Sequence, residues 1–256
     1  MDKIEYMINN RRYSIISDLH THTIYSHGSG TIEENVRAAR AKGIHLIGIT
    51  DHGPGHLAYG IKPWHVPKMR AEIERLSAIY TDMDIQFGIE ANIVSRSGIL
   101  DVRPDEFYLY DYVIAGYHYG ALGVNMVGNG IRALQNMVED KAGKDTRRLM
   151  RRNTQNIVRA IERNQIKILA HPGDKAPVDL LEIAVVCAKY GTLVEINTNH
   201  MSLSAADLKT MALTDVRFII CSDAHSPNRI GDFVSGVNVA LDSGIDMGRI
   251  VNLKIS

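Results

Sequence analysis

Only two cysteines, Cys187 and Cys221, occur in the 256 residues, each inside an apolar stretch, "AVVCAKY" and "FIICSDAH". They form neither a disulfide framework nor a CxxC zinc motif, so both are read as buried free thiols in a reducing compartment. Net charge is missing as well, with Lys+Arg and Asp+Glu at 29 each. Without a global positive field, a dedicated nucleic-acid binder or a protein of anionic membrane surfaces is disfavoured. No apolar run approaches the roughly 18 residues of a membrane span. The stretch "MDKIEYMINNRR" has no continuous apolar segment of the secretory kind. A cytoplasmic protein without membrane contact is the resulting expectation. Repeats, low-complexity tracts and Pro/Ser-rich linkers are lacking too, so residues 1–256 are expected to form a single domain.

What the chain does have is rhythm. With 45% hydrophobic residues it can bury a core. Its apolar runs are short: "YSIIS" (13–17), "HLIGIT" (45–50), "DIQFGIE" (84–90), "YVIAGYH" (112–118), "IKILAH" (166–171), "TLVEIN" (192–197) and "RFIICSD" (217–223). Runs of this length and β-branched content suit strands covered on both faces of a parallel sheet. Helical patterns separate them. Residues 31–43 open on Thr31 with Glu34 three positions later, a capping box, and close on Gly43. Residues 67–80 begin with Pro67, 145–164 carry Leu149, Ile157 and Ile161 on one stripe, and 178–191 end on Gly191. Alternating strands and helices imply an α/β sheet of βα units, open or closed into a barrel. Residues 52–66 and 119–144 break the rhythm and read as long connections of the kind that form lids or substrate loops.

Each apolar run ends in a residue able to bind a metal or support one that does. The runs lead, in order, into Asp18, His20 and His22; Asp51 and His52; Glu90; His118; His171; Glu195 and Asn197; and Asp223 and His225. His27 follows closely on the first set, inside "SDLHTHTIYSHGSG". In parallel βα architecture the C-terminal strand ends meet on one face, where active sites are built. Imidazole and carboxylate are ligands of zinc, manganese and non-haem iron. Seven histidines with Glu90 and Asp223 exceed what one ion uses, and fit two or three ions sharing bridging carboxylates.

The ordered set "DLHTHT", "TDHG", "GIE", "AGYH", "AHPG" and "SDAH" resembles the PHP (polymerase and histidinol phosphatase) family, and in particular its small stand-alone phosphatase-like members. The likeness runs from about residue 13 to residue 235. It implies a distorted (β/α)7 TIM-like barrel holding three divalent metal ions, zinc foremost, with manganese and iron as alternatives. Carried over residue by residue, it assigns the first ion to His20, His22, Glu90 and Asp223. The second falls to His118, His171 and the shared Glu90, and the third to His27, His52 and His225. Two features depart from the family pattern. The stretch between His118 and His171 is long, and "EINTNH" stands where relatives often read "EINNSS", which adds His200 near the cleft. Members of the family include oligomers, which makes a homo-oligomer an expectation here.

Such a cluster suits phosphate ester hydrolysis. A hydroxide bridging two ions attacks phosphorus in line while the third ion holds a non-bridging oxygen, so no serine or cysteine nucleophile is needed. Glu90, Asp223 and His225 are expected at the reacting centre. Asp18 and Asp51 are expected to act as acceptors that fix the tautomer of ligand imidazoles. Glu195, Asn197, His200 and Arg229 are candidates for binding water or substrate. Arg147, Arg148, Arg151 and Arg152 read as a solvated helix face. His45 reads as exposed at the far end of its strand, and His56 and His65 as residues of the Gly/Pro loop with Trp64, cleft lining being the lesser alternative for both. The leading expectation is a metal-dependent phosphoesterase acting on a small phosphorylated molecule. A PHP-type nuclease working on nucleic-acid ends and a histidinol-phosphate phosphatase are the alternatives. An amidohydrolase is disfavoured, because the fourth run ends in His118 where that class carries a carboxylated lysine.

Overall fold

The computed structural model describes residues 5–8, 11–118, 121 and 146–255. The chain begins with β1 (Glu5–Ile8) and β2 (Arg11–Ile15), which pair antiparallel. Seven parallel strands follow: β3 (Ser17–Asp18), β4 (Leu46–Ile49), β5 (Asp84–Asn92), β6 (Tyr112–Gly116), β7 (Ile166–Leu169), β8 (Leu193–Asn197) and β9 (Phe218–Cys221). They stand side by side in sequence order. A last strand, β10 (Leu253–Ile255), returns to pair with β2.

Helices α1 (Ile32–Ala41), α2 (Val66–Ile79), α3 (Thr146–Arg163), α4 (Leu180–Tyr190), α5 (Ala205–Met211) and α6 (Val234–Ser243) fill the connections. The expected capping box on α1 is present: Thr31 Oγ1 accepts from the Glu34 amide at 3.2 Å and Glu34 Oε2 from the Thr31 amide at 2.8 Å. Gly191 ends α4 with a left-handed φ of 73°. Leu149, Ile157 and Ile161 of α3 are buried, as their stripe requires. No helix among the described residues is long and apolar enough to cross a membrane. The long connection expected over 119–144 lies, apart from residue 121, outside the described residues.

One strand expectation needs correction. Residues 13–17 do not form one strand of the parallel sheet. Tyr13, Ser14 and Ile15 pair antiparallel with β10, and only Ser17 and Asp18 join β4. The chain turns at Ile16, whose amide donates to the Asn252 carbonyl at 3.1 Å. Asn252 in turn donates through Nδ2 to the carbonyls of Ser17 and Ile220 at 2.9 and 2.7 Å. Asn252 therefore stitches β3 to β9.

That stitch, with two others, nearly closes the sheet into a barrel. In the middle of the seam the Asp18 carboxylate accepts from the Ser222 amide (3.0 Å), Ser222 Oγ (2.5 Å) and the Gly231 amide (3.0 Å). At its upper end Thr21 bridges Ala224, and the His22 amide donates to the Ala224 carbonyl at 2.9 Å.

Strand pleating sorts the side chains into two populations. Outward residues such as Phe87, Ile89, Val113, Ala115, Val194, Ile196, Phe218 and Ile220 join the helices in the main core. Inward residues Leu19, Tyr112, Ile114, Ile168, Ile219 and Cys221 plug the lower barrel. Tyr112 reaches across it to donate to the Leu19 carbonyl at 2.7 Å. Its ring occupies the space a Cβ would need at Gly48, where the Tyr112 hydroxyl would lie 1.8 Å away, which explains a glycine in the middle of β4.

Candidate metal centre

The same two-residue period carries the inward face upward from apolar to polar. Ile114 is followed by Gly116 and His118, Leu193 by Glu195 and Asn197, Ile219 by Cys221 and Asp223, and Gly88 by Glu90 and Asn92. The apolar plug thus ends in a polar layer at the strand C-termini. There, histidine rings from distant parts of the chain meet. Ring centroids are 5.1 Å apart for His20 and His22, 4.4 Å for His22 and His52, 4.4 Å for His22 and His225, and 4.9 Å for His52 and His118. His118 and His171 follow at 5.0 Å, His20 and His171 at 6.3 Å. His27 lies on the exposed rim, 4.4 Å from His225 and stacked on Tyr59 at 4.0 Å.

Glu90 is the hub. Its Oε1 stands 3.1 Å from His118 Nε2, 3.1 Å from His171 Nε2 and 3.3 Å from His20 Nε2. Its Oε2 stands 2.7 Å from His52 Nδ1 and 3.6 Å from His22 Nε2. Asp223 Oδ1 closes the other side at 3.1 Å from His22 Nε2 and 3.6 Å from His20 Nε2. Among the described residues, three sets of donor atoms fall within 4.8 Å of one another: His20, His22 and Asp223; His52, Glu90 and His118; and His22, His52 and His225.

Divalent cations fit this arrangement on two physical grounds. His52 Nδ1 and Glu90 Oε2 are both buried and lack a hydrogen-bond partner although they face each other. His22 Nδ1 is likewise buried without one. Buried polar atoms without partners are costly, and a cation relieves the lone pairs on both sides. The charge distribution points the same way. Burial disfavours ionisation of Glu90, but His118, His20 and His52 more than reverse it and hold the carboxyl well below its usual range. Burial works against Asp223 too, and is outweighed by His20 and His22. His22 is driven well below its ordinary value by burial and by His52, while burial brings His118 and His27 to about 4. His20 and His171 move the other way, since burial is outweighed by Glu195, Asp223 and Glu90 around His20 and by Glu90 beside His171. The ionised state of Glu90 and Asp223 is the one a divalent ion requires of a carboxylate.

A PHP domain model matches residues 18–199. The chain belongs to the PHP domain family. It is 31% identical over 251 residues to a probable phosphatase of Edwardsiella ictaluri, covering 94% of this chain and 90% of that protein. A probable phosphatase of Shewanella piezotolerans is 29% identical over 245 residues, covering 92% and 88%. Among solved structures, the histidinol phosphate phosphatase of Lactococcus lactis, complexed with zinc, L-histidinol and phosphate, superposes with a TM-score of 0.62. That match is 18% identical and covers 90% of this chain and 94% of the other, so it reports on the barrel fold.

The PHP barrel distributes its supporting residues differently from the sequence expectation. Asp18 makes no hydrogen bond to an imidazole, because its carboxylate faces the seam and is filled by Ser222 and Gly231. Asp51 accepts from the Thr23 amide (2.8 Å), Thr23 Oγ1 (2.6 Å) and Ser26 Oγ, and so shapes the loop that carries His27. The residue that fixes an imidazole is Glu195, whose Oε1 lies 2.7 Å from His20 Nδ1. A carboxylate there keeps a proton on Nδ1, which donates to Glu195, and turns Nε2 toward the cluster. Glu195 Oε2 also accepts from the His171 amide at 2.8 Å and from Asn197 Nδ2 at 2.9 Å. Arg229 lies at the surface, 3.4 Å from Asp232, and no described contact joins it to the histidines. Asn197 and His200 do reach the cluster, both at the outer oxygen of Asp223.

Other contributors escaped the sequence reading. Asn92 Oδ1 lies 2.7 Å from His118 Nδ1 and does for that ring what Glu195 does for His20. Asn92 is itself gripped by Asp101, which accepts from its amide at 2.7 Å and its Nδ2 at 2.5 Å. His56 is buried and stacks on His52 at 5.4 Å, with Tyr59 next to it at 4.9 Å. The position of Asn92, two residues beyond Glu90 on the same strand face, is the one signal that could have found it. His45 is exposed at the opposite end of its strand, and His65 packs on Tyr25 at 5.3 Å.

Proposed function

We propose that this PHP protein is a metal-dependent phosphomonoesterase acting on a small phosphorylated molecule with three divalent ions, zinc foremost. It is an enzyme of the hydrolase class. The observation that carries the reading is the Glu90 carboxylate, buried and ionised, in reach of His20, His22, His52, His118 and His171 at once. In this assignment His20, His22, Glu90 and Asp223 hold one ion, His118 and His171 hold a second that shares Glu90, and His27, His52 and His225 hold the third. His52 borders two of these places, next to Glu90 and next to His22.

Divalent ions bound there lower the pKa of water from about 15.7 toward about 7 and offset charge on phosphoryl oxygens. The remaining work belongs to the chain. Glu195 and Asn92 fix the rings of His20 and His118 so that each Nε2 faces inward. The plug of Tyr112, Ile114, Ile168 and Ile219 excludes water from below, leaving access through the rim at His27, Tyr59 and His225. The Asp223 carbonyl, 2.9 Å from Nδ1 of the half-buried His225, likewise occupies that nitrogen and leaves Nε2 for the ion His225 would hold. The two cysteines are buried free thiols, which supports a reducing, cytoplasmic setting.

The deciding experiment measures metal content of the purified chain and its turnover of a chromogenic phosphomonoester, histidinol phosphate, a phosphodiester and single-stranded DNA, with and without chelator. Chelator-sensitive preference for monoesters is expected. Activity confined to DNA ends overturns the reading in favour of a nuclease, and selective turnover of histidinol phosphate narrows it to the activity named for the Lactococcus lactis protein.

A further inference from the structure

His200 stands outside the ligand set, yet both of its ring nitrogens face carboxylates. Nε2 is 3.3 Å from Asp223 Oδ2 and Nδ1 is 3.3 Å from Asp174 Oδ2, while the side chain is 27% exposed. Lys175 Nζ lies 2.5 Å from that same Asp174 oxygen. The ring lies 5.1 Å from that of His171.

The two oxygens of Asp223 are thereby divided. Oδ1 points to His20 and His22, whereas Oδ2 accepts from Asn197 Nδ2 at 3.0 Å and faces His200. The turn that delivers His200 is tied to the same asparagine, because Asn197 Oδ1 accepts from the amides of Asn199 and His200 at 2.9 and 2.8 Å. Backbone strain collects in this corner. Among the described residues, the non-glycine residues with positive φ are His171 (27°), Met201 (47°) and Asp223 (48°). Such conformations persist where the surroundings over-determine them, and they concentrate at functional sites.

We propose that His200 is a positioning residue: through Nε2, and with Asn197, it clamps the outer oxygen of Asp223 so that the inner one stays aimed at the ion between His20 and His22. The proposal rests on the reading of Asp223 as a metal ligand. Residues that orient a ligand in this way change metal affinity or activity by about 10–100-fold when removed.

The test is zinc affinity of the full chain, measured by competition with a chromogenic chelator, beside the ion count and the thermal midpoint of the metal-free protein. His200→Ala is expected to weaken at least one ion by about 10–100-fold, with the metal-free midpoint unchanged. His200→Gln, which keeps an N–H in reach of Oδ2, is expected to restore most of that affinity. Wild-type affinity in His200→Ala overturns the clamp, as do equal losses in the Ala and Gln variants, which would mean packing alone. A wild-type chain that binds no ions overturns the metal reading itself and the clamp with it.

Discussion

Glu195 Oε1 lies 2.7 Å from His20 Nδ1, and both side chains are fully buried. This pair joins β8 to the end of β3 through the centre of the barrel. It fixes one histidine ring, and the other Glu195 oxygen holds the His171 backbone. Glu195→Ala should therefore loosen two ligand-bearing segments together. The expected loss is about 10–100-fold in metal affinity, with a matching fall in turnover, read by chelator competition and steady-state kinetics. Glu195→Gln keeps acceptor character toward His20 and should lose less.

Glu90→Ala removes the carboxylate that several histidines share. More than one ion should be lost, and with them all measurable turnover, while ordinary far-UV dichroism persists. Full metal stoichiometry in this variant, by elemental analysis, contradicts the proposed assignment of ligands.

Asp18→Ala tests the seam. It leaves the amides of Ser222 and Gly231 and the Ser222 hydroxyl without their acceptor in a buried place. Each orphaned buried donor costs about 1–3 kcal/mol, so a loss of about 3 kcal/mol or more is expected. Denaturant unfolding of the metal-free protein measures it. An unfolding midpoint equal to wild type would mean that the seam does not depend on this carboxylate.

Asp101 gives a pH signature away from the ligands. Burial pushes its carboxyl up to about 6, against hydrogen bonds from Asn92 and Gly55 that favour the anion. The folded chain then binds this proton more tightly than the unfolded chain, so its contribution to stability rises as pH falls through 6 and is complete near the ordinary carboxylate value. Compared with Asp101→Asn, which cannot titrate, metal-free wild-type protein should gain stability between pH 7 and pH 5. Wild-type stability that stays level or falls relative to Asp101→Asn over that window refutes the assignment.

How far the sequence could be read follows from what each level of structure depends on. The strand-end histidines were legible because pleating is periodic and parallel strands all point one way. Once the runs were found, His20, His118, His171 and His225 had to share a face. The supporting residues were less legible, because a carboxylate's partner depends on which way a short strand turns. Asp18 and Glu195 illustrate it: both sit on strands near the histidines, but Asp18 faces the β3–β9 gap and Glu195 faces across the barrel. The antiparallel pairing of β1, β2 and β10 left little trace, since the strands are only three to five residues long and β10 lies at the other end of the sequence from its partner β2. Asp101 was invisible for another reason: its partner Asn92 is nine residues away across an irregular connection with no period to follow.

Asn252 has a consequence for biosynthesis. The pocket draws on His20, near the start of the chain, and on Asp223, and these meet at the gap that Asn252 bridges to both flanking strands. While a ribosome is still making the segment before Asn252, the early histidines are already outside the exit tunnel without their late companions. The pocket thus gains its full set of imidazoles and carboxylates only once the segment carrying Asp223 and Asn252 has emerged and closed the gap.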